Sequence, residues 1–186
     1  MLAKRGATVK RIAVPFIDAI HAYADIIVGV EAAAIHAEWM RKRPQDYAQH
    51  LPSWLHASCA IPGPYYVEAL SRRGPILTEF VKEVFDRVDV LVTPTIPICL
   101  PTLAETDIDK GPTGDHAKSL RLSANTTAFN YLGLPSVSVN YGFDPNGLPI
   151  GLSFTGRPFA ESSVLKVADA YQRETDWHKR RPSLLT

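Results

Sequence analysis

Cysteine is almost missing from this chain. Cys59 and Cys99 are the whole complement of 186 residues, so neither a disulfide framework nor the paired spacing of a zinc site is available. That usage suits a reducing compartment, and a cytoplasmic protein is expected. An excess of either charge is missing too. Twenty basic residues against nineteen acidic ones leave a net charge of +1, which supplies no field to draw a phosphate backbone or an anionic membrane. Neither nucleic acid nor a membrane is expected as a partner. Long apolar runs are absent: the stretch Ile26 to Ile35 is cut by Glu31 and falls short of the ~20 residues of a bilayer span. The opening MLAKRGATVKRIAVPF lacks the sustained apolar segment of an export signal. Missing as well are the phosphate-binding loop, the dinucleotide glycine fingerprint, HExxH, GxSxG, internal repeats and any Gly/Ser-rich run, and with those motifs go the enzyme classes they announce.

What is present suffices for one sizeable core, since 46% of the side chains are hydrophobic. Lys10 to Val14 reads as a short strand ending at Pro15, where a helix begins. From there Phe16, Ile20, Tyr23, Ile27, Val30 and Ala34 recur at steps of four and three, predicting one buried face of a helix that runs to about Met40. Arg41, Lys42 and Arg43 complement the negative end of its dipole, and Pro44 stops it. Gln45 to Pro64 has no clear period and reads as a loop with helical turns. Tyr65 to Phe85 is helical around Gly74 and Pro75, as one interrupted helix or two.

Asp89 to Thr93 reads as an interior strand closed by Pro94, Thr102 to Asp115 as a surface loop, and Leu120 to Leu132 as a helix ended by Gly133. Ser136 to Asn140 alternates, with Val137 and Val139 on one face and small polar groups on the other. Turn chemistry at Asp144 to Gly147 then leads into Pro149 to Thr155, so the two runs predict an antiparallel hairpin. A last helix starts near Glu161 and buries Val164, Leu165, Val167, Ala168 and Tyr171. Strands mixed with helices give an α/β class.

Residues that carry chemistry are scattered. Six histidines show no ligand-like pairing, although His50 and His56 flank an irregular segment. Glu31 reads either as a buried acid with a raised pKa or, preferably, as a paired or half-exposed one. Ser162, Ser163 and Lys166 look superficially like a nucleophile with its base, but at a helix start capping is the better account. An independent esterase built on Ser and His has no nucleophile motif to support it.

The stretch Asn125 to Gly156, NTTAFNYLGLPSVSVNYGFDPNGLPIGLSFTG, resembles the characteristic carboxyl-terminal block of the amidase-signature family. The match runs through Asn130, Gly133, Pro135, Gly142, Gly147 to Pro149, and Gly151 with Leu152, and it departs where the usual Gln is Ser153. Val88 to Pro97 (VDVLVTPTIP) and Glu174 to Pro182 (ETDWHKRRP) resemble two further blocks in order and spacing. The resemblance covers roughly residues 5 to 182.

That resemblance implies the carboxyl-terminal part of an α/β/α sandwich with a mixed sheet flanked by helices, residues 1–186 being a portion of a single amidase domain. It implies hydrolysis of carbon–nitrogen amide bonds by a serine nucleophile, a bridging serine and a lysine, with clustered amides stabilising the oxyanion. In the family all three lie in the amino-terminal half, so no catalytic residue is assigned to this chain, which is expected to be inactive alone. Met1 resembles a position inside longer relatives rather than the start of a complete enzyme. The substrate implied is a small amide, with no metal or organic cofactor; Thr126, Phe129 and Asn130 are the pocket candidates. Asn130 equally suits a hydrogen bond to the backbone of its own turn. Ser123 stands where the transfer-RNA branch of the family would carry an acidic residue, so a general amidase is the better fit. The protein partners expected are a second copy of the chain or the missing amino-terminal half. The alternative to an enzyme part is a non-catalytic binding or assembly module that pairs through a bare sheet edge.

Overall fold

A computed structural model describes residues 1–48, 50–107 and 121–181. The chain has the expected α/β fold and forms two compact units. One comprises Met1–Pro15, Thr78–Leu100 and Gly133–Thr186, the other Phe16–Leu77 and Pro101–Leu132.

The first unit is built on a sheet. Strands β1 (Leu91–Pro94), β2 (Ser136–Phe143) and β3 (Pro149–Thr155) lie in the order β1-β3-β2. Both ladders are antiparallel, so among the described residues the sheet shows no parallel pairing of the kind a mixed sheet implies. The predicted hairpin is present in register, Ser136 opposite Thr155 through Phe143 opposite Pro149. Asp144 Oδ1 shapes its turn by accepting from the amides of Asn146 (2.9 Å) and Leu148 (2.8 Å). Within β2 the ladder is irregular between Asn140 and Gly142, where Asn140 Oδ1 takes the Gly142 amide at 2.9 Å.

Alternation sends Val139 and Phe154 to one face, where helix α6 (Glu161–Gln172) covers them with Val164, Ala168 and Tyr171. The last helix therefore starts where its sequence places it. Leu165, read as buried, is 59% exposed because it falls between the two rows that meet the sheet.

Two readings of this unit need correction. Lys10 to Val14 forms no ladder, since strand propensity alone does not supply a neighbour to pair with. Likewise β1 is an edge strand and not an interior one, having β3 as its single partner among the described residues. Arg5 pairs with Glu174, and Arg157 ties the backbone carbonyl of Phe85 and the carboxylate of Asp86, at 3.1 Å to the latter.

The second unit is helical. Helix α1 (Ile17–Lys42) runs as predicted and ends at the basic cluster before Pro44. Its buried face shares Ile20 with the expected one and otherwise differs: Ala24, Gly29, Ala33 and Met40 are inside with it, while Phe16 is 45% exposed. Apolar residues surround α1 on every side, so periodicity cannot select a face and packing decides it. Close approach selects the small residues. A methyl group added at Gly29 would lie 2.8 Å from Ser58 Oγ of helix α2 (His50–Cys59). By length and composition α1 also passes as a membrane-crossing helix, contrary to the reading of its apolar run, a test that core helices pass as well.

Helix α2 occupies much of the segment read as a loop. Leu55 and Ser58 are buried there, so tertiary contact supplies what the sequence period does not. Helix α3 (Gly63–Phe80) settles the open alternative as one continuous helix with Pro75 inside it, followed by a π-type turn at Val81–Phe85. The unit's remaining elements are the single turn α4 (Leu103–Thr106), closed by a capping box of Thr102 and Glu105, and helix α5 (Ala124–Leu132). The rest of the predicted loop, from residue 108, lies outside the described residues.

Candidate functional site

Helix α5 carries all three residues proposed from the sequence. Its first turn is set by Ser123, whose carbonyl accepts the amides of Thr126 and Thr127 at 2.9 Å each and their hydroxyls at 3.0 and 2.9 Å. It ends at Gly133, whose φ of 67° supplies the left-handed residue that closes a helix. The inner side, Ala128, Phe129, Tyr131 and Leu132, is buried.

Polar contacts fix both ends of α5. His21 Nε2 lies 2.9 Å from the Ala124 carbonyl oxygen. At the far end the Tyr131 hydroxyl donates to the Ala69 carbonyl at 2.7 Å, and its ring stacks on Tyr23 with centroids 6.3 Å apart. Burial, reinforced by Tyr23 and opposed by Arg73, raises the Tyr131 phenol above its ordinary pKa of 10.0, so it stays a donor.

Thr126, Phe129 and Asn130 are spaced by three and four residues and therefore share a side of α5. They differ in what they offer. Phe129 is 7% exposed and belongs to the core; Thr126 is half-buried and bonded to Ser123. Asn130 is exposed, and its side chain bonds no described residue, so the alternative of a bond to its own turn is not what the structure contains. An amide side chain in that state offers a donor and an acceptor together, the complement of another amide group.

The sheet unit contains a second polar arrangement that the sequence reading touched only in noting small polar groups on one side of β2. Thr95 Oγ1 lies 2.6 Å from Ser138 Oγ and 2.8 Å from Ser153 Oγ, and Ser136 Oγ lies 2.9 Å from Thr155 Oγ1. These five hydroxyls share the sheet face opposite Phe154, as the register dictates. Gly151 makes the arrangement possible: a Cβ there would meet Thr95 Oγ1 at 2.7 Å and Ser138 Oγ at 3.0 Å. The hydroxyls bond one another and, among the described residues, no imidazole, amine or carboxylate, so none is paired with a base that would activate it. Thr93 Oγ1 on the neighbouring β1 position is buried with no hydrogen-bond partner.

The remaining candidates have ordinary roles. Glu31 is exposed and accepts from Tyr66 Oη at 2.9 Å, the preferred of its two readings; that bond raises the Tyr66 pKa. Ser162 and Ser163 are exposed in the first turn of α6, where the cap position is Ala160 and no side chain caps, so the capping account is corrected. The amides of Ser163 and Val164 are instead taken by the Ala160 carbonyl, and that of Ala160 by the Arg157 carbonyl.

The profile of the family described as Amidase matches residues 1–165. Among individual relatives, a glutamyl-tRNA(Gln) amidotransferase of a Synechococcus sp. has a polypeptide that is 42% identical over 120 residues, which are 64% of this chain and 22% of that one. An amidase of Pseudomonas putida is 29% identical over 185 residues, 99% of this chain and 39% of that protein. Among solved structures, 6-aminohexanoate cyclic dimer hydrolase complexed with substrate superimposes with a TM-score of 0.84 at 22% identity, over 100% of this chain and 41% of that one. The chain thus spans well under half the length of the relatives it matches. With the profile matched over most of its length and the fold shared, this chain belongs to the amidase family.

Proposed function

We propose that this chain is the carboxyl-terminal part of an enzyme that hydrolyses carbon–nitrogen amide bonds by serine acyl transfer, and that it is inactive without the polypeptide carrying the nucleophile. The carrying observation is the extent of the match: 99% of the chain corresponds to only 39% of the Pseudomonas putida amidase. The hydroxyl cluster of the sheet fits this reading, because its members satisfy one another instead of facing a base. Ser123 favours a general amidase over a transfer-RNA amidotransferase.

Asn130, with Thr126 and Phe129 on its helix, would contribute to the substrate wall. Its exposed amide would accept the substrate N–H and donate to its carbonyl, orienting the scissile bond for attack from the completing polypeptide. The test uses the purified chain and a panel of simple amides, alone and after co-expression with the part of the Pseudomonas putida amidase outside the match. No turnover alone and turnover in the mixture are expected. A serine in this chain labelled by an acylating active-site probe would overturn the reading. In the reconstituted enzyme Asn130→Ala should lower kcat/KM by about tenfold, the loss of one or two hydrogen bonds.

A further inference from the structure

The turn from Arg157 to Ala160 joins β3 to α6 and is closed by the Ala160 amide on the Arg157 carbonyl at 3.0 Å. Pro158 is its second residue and Phe159 its third, with a φ of 62°. A positive φ at the third place is the geometry that calls for glycine or asparagine, because a Cβ there crowds the neighbouring carbonyl. Phe159 fills it all the same, and its ring gains no packing in return: the residue is 94% exposed. Phe16, which also has a positive φ (61°), is 45% exposed, so more than half of it is covered.

The strained residue is held from both sides. Upstream, the Gly156 amide bonds the Pro135 carbonyl at 3.0 Å, and Arg157 ties the Phe85 carbonyl and the Asp86 carboxylate. Downstream, the Ala160 carbonyl takes the amides of Ser163 and Val164. A residue both strained and uncovered lowers the stability of the free chain, and such residues persist where a ligand uses them. The surroundings indicate which ligand. Arg157, Glu161, Ser162 and Ser163, close to Phe159 in sequence, are polar, and the last three are exposed. A stable protein interface takes roughly 800 Å² of each partner with an apolar centre; one ring amid polar groups matches a single apolar group of a small molecule. We infer that Phe159 is a specificity-determining residue whose ring packs against a neutral aryl or alkyl group of the amide substrate, the clamped turn keeping it outward for that contact. The assignment to a substrate rests on the proposed function; the outward ring rests on the turn alone.

Two substitutions separate the backbone from the ring. Phe159→Asn suits the left-handed place and should raise the thermal midpoint of this chain by about 3 °C, whereas Phe159→Ala keeps a Cβ and should leave it within about one degree. A fall of several degrees in Phe159→Ala would show a packed ring and overturn the inference. Recognition is read with Phe159→Trp, whose emission beyond that of the parent chain is followed during titration with hexanamide, benzamide and acetamide. The titration is run on the chain alone and on the chain co-expressed with the part of the Pseudomonas putida amidase outside the match. A blue shift is expected with hexanamide or benzamide and none with acetamide; no shift in either preparation overturns the inference. Where the co-expressed enzyme turns amides over, Phe159→Ala should lower kcat/KM by about tenfold for the two apolar amides, through KM, and leave acetamide unchanged. Phe159→Leu should retain most of the parent value. Equal loss for all three amides, or loss of co-purification in Phe159→Ala, would make the ring an assembly contact and overturn the inference as well. A preparation without turnover that still shows the shift would sink the proposed function and leave the apolar contact standing.

Discussion

The sheet unit and the helical unit are held together by different means. In the first, large side chains meet across a register: Phe154, fully buried, packs with Val139 against Val164, Ala168 and Tyr171 of α6. In the second, the small residues Ala24, Gly29 and Ala33 bury one side of α1, and polar side chains tie the ends of α5 through His21 and Tyr131. A sheet specifies its partner by alternation, which two residues already define. A helix apolar on every side specifies its partner by shape, which no single residue type declares.

That contrast yields a graded series of effects. Truncating the hub of the sheet unit, Phe154→Ala, should cost about 3–5 kcal/mol in chemical denaturation. Segment-resolved hydrogen exchange sharpens the result: β2 and β3 should lose protection while α1 and α2 keep theirs, and equal loss in both would break the comparison. Next comes Gly29→Ala. Helix propensity alone predicts a gain of about 1 kcal/mol, whereas the 2.8 Å approach of a new methyl to Ser58 Oγ predicts a loss of about 1–3 kcal/mol. A net loss is expected, shrinking by roughly half in a Ser58→Ala background, since the pair is in contact. A net gain would show that α1 is not held by close approach. Smaller still is Thr95→Val, which strips Ser138 and Ser153 of their shared partner and should cost about 1 kcal/mol.

The same contrast explains which parts were legible beforehand. The bounds of β3, the start of α6 and the hairpin register follow from period-two alternation and from Asp144 to Gly147, all local features. The length of α1 was legible from its basic end and Pro44, but its buried side was not, because Gly29 earns its place only against Ser58, 29 residues away. Pro75 looked like a break, yet α3 passes through it on a stretch, residues 70 to 75, that is exposed, so water can reach the backbone position the missing amide would have served. Lys10 to Val14 and Asp89 to Thr93 were read as strands, and the reading of the first failed for want of a neighbour rather than for want of propensity. At the candidate site the three residues of α5 come from the family block, and only the helix puts them on one side, while Thr95, Ser136, Ser138, Ser153 and Thr155 were missed as a group. Their signal is a hydroxyl at alternate positions on β2 and β3 with one more just past the end of β1, and it becomes visible only when the strands are put in order.

The end ties of α5 provide the finest discrimination between the two units, because they act through single polar atoms rather than through area. Tyr131→Phe keeps the ring on Tyr23 and removes only the donor to the Ala69 carbonyl, so about 1 kcal/mol should be lost near neutral pH. The pH dependence carries the sharper content. Because burial raises the Tyr131 pKa above 10.0, its contribution is fully present below that value and is lost as pH rises through the folded-state pKa. Denaturation midpoints of the parent chain should therefore fall across that alkaline window. Those of Tyr131→Phe should fall less steeply, with a residual slope from Tyr66 and Tyr171, whose pKa values are also raised. Parallel alkaline limbs for the two proteins would mean that the hydroxyl ionises as freely in the folded chain as in the unfolded one, and that α5 is positioned by packing alone, like the sheet.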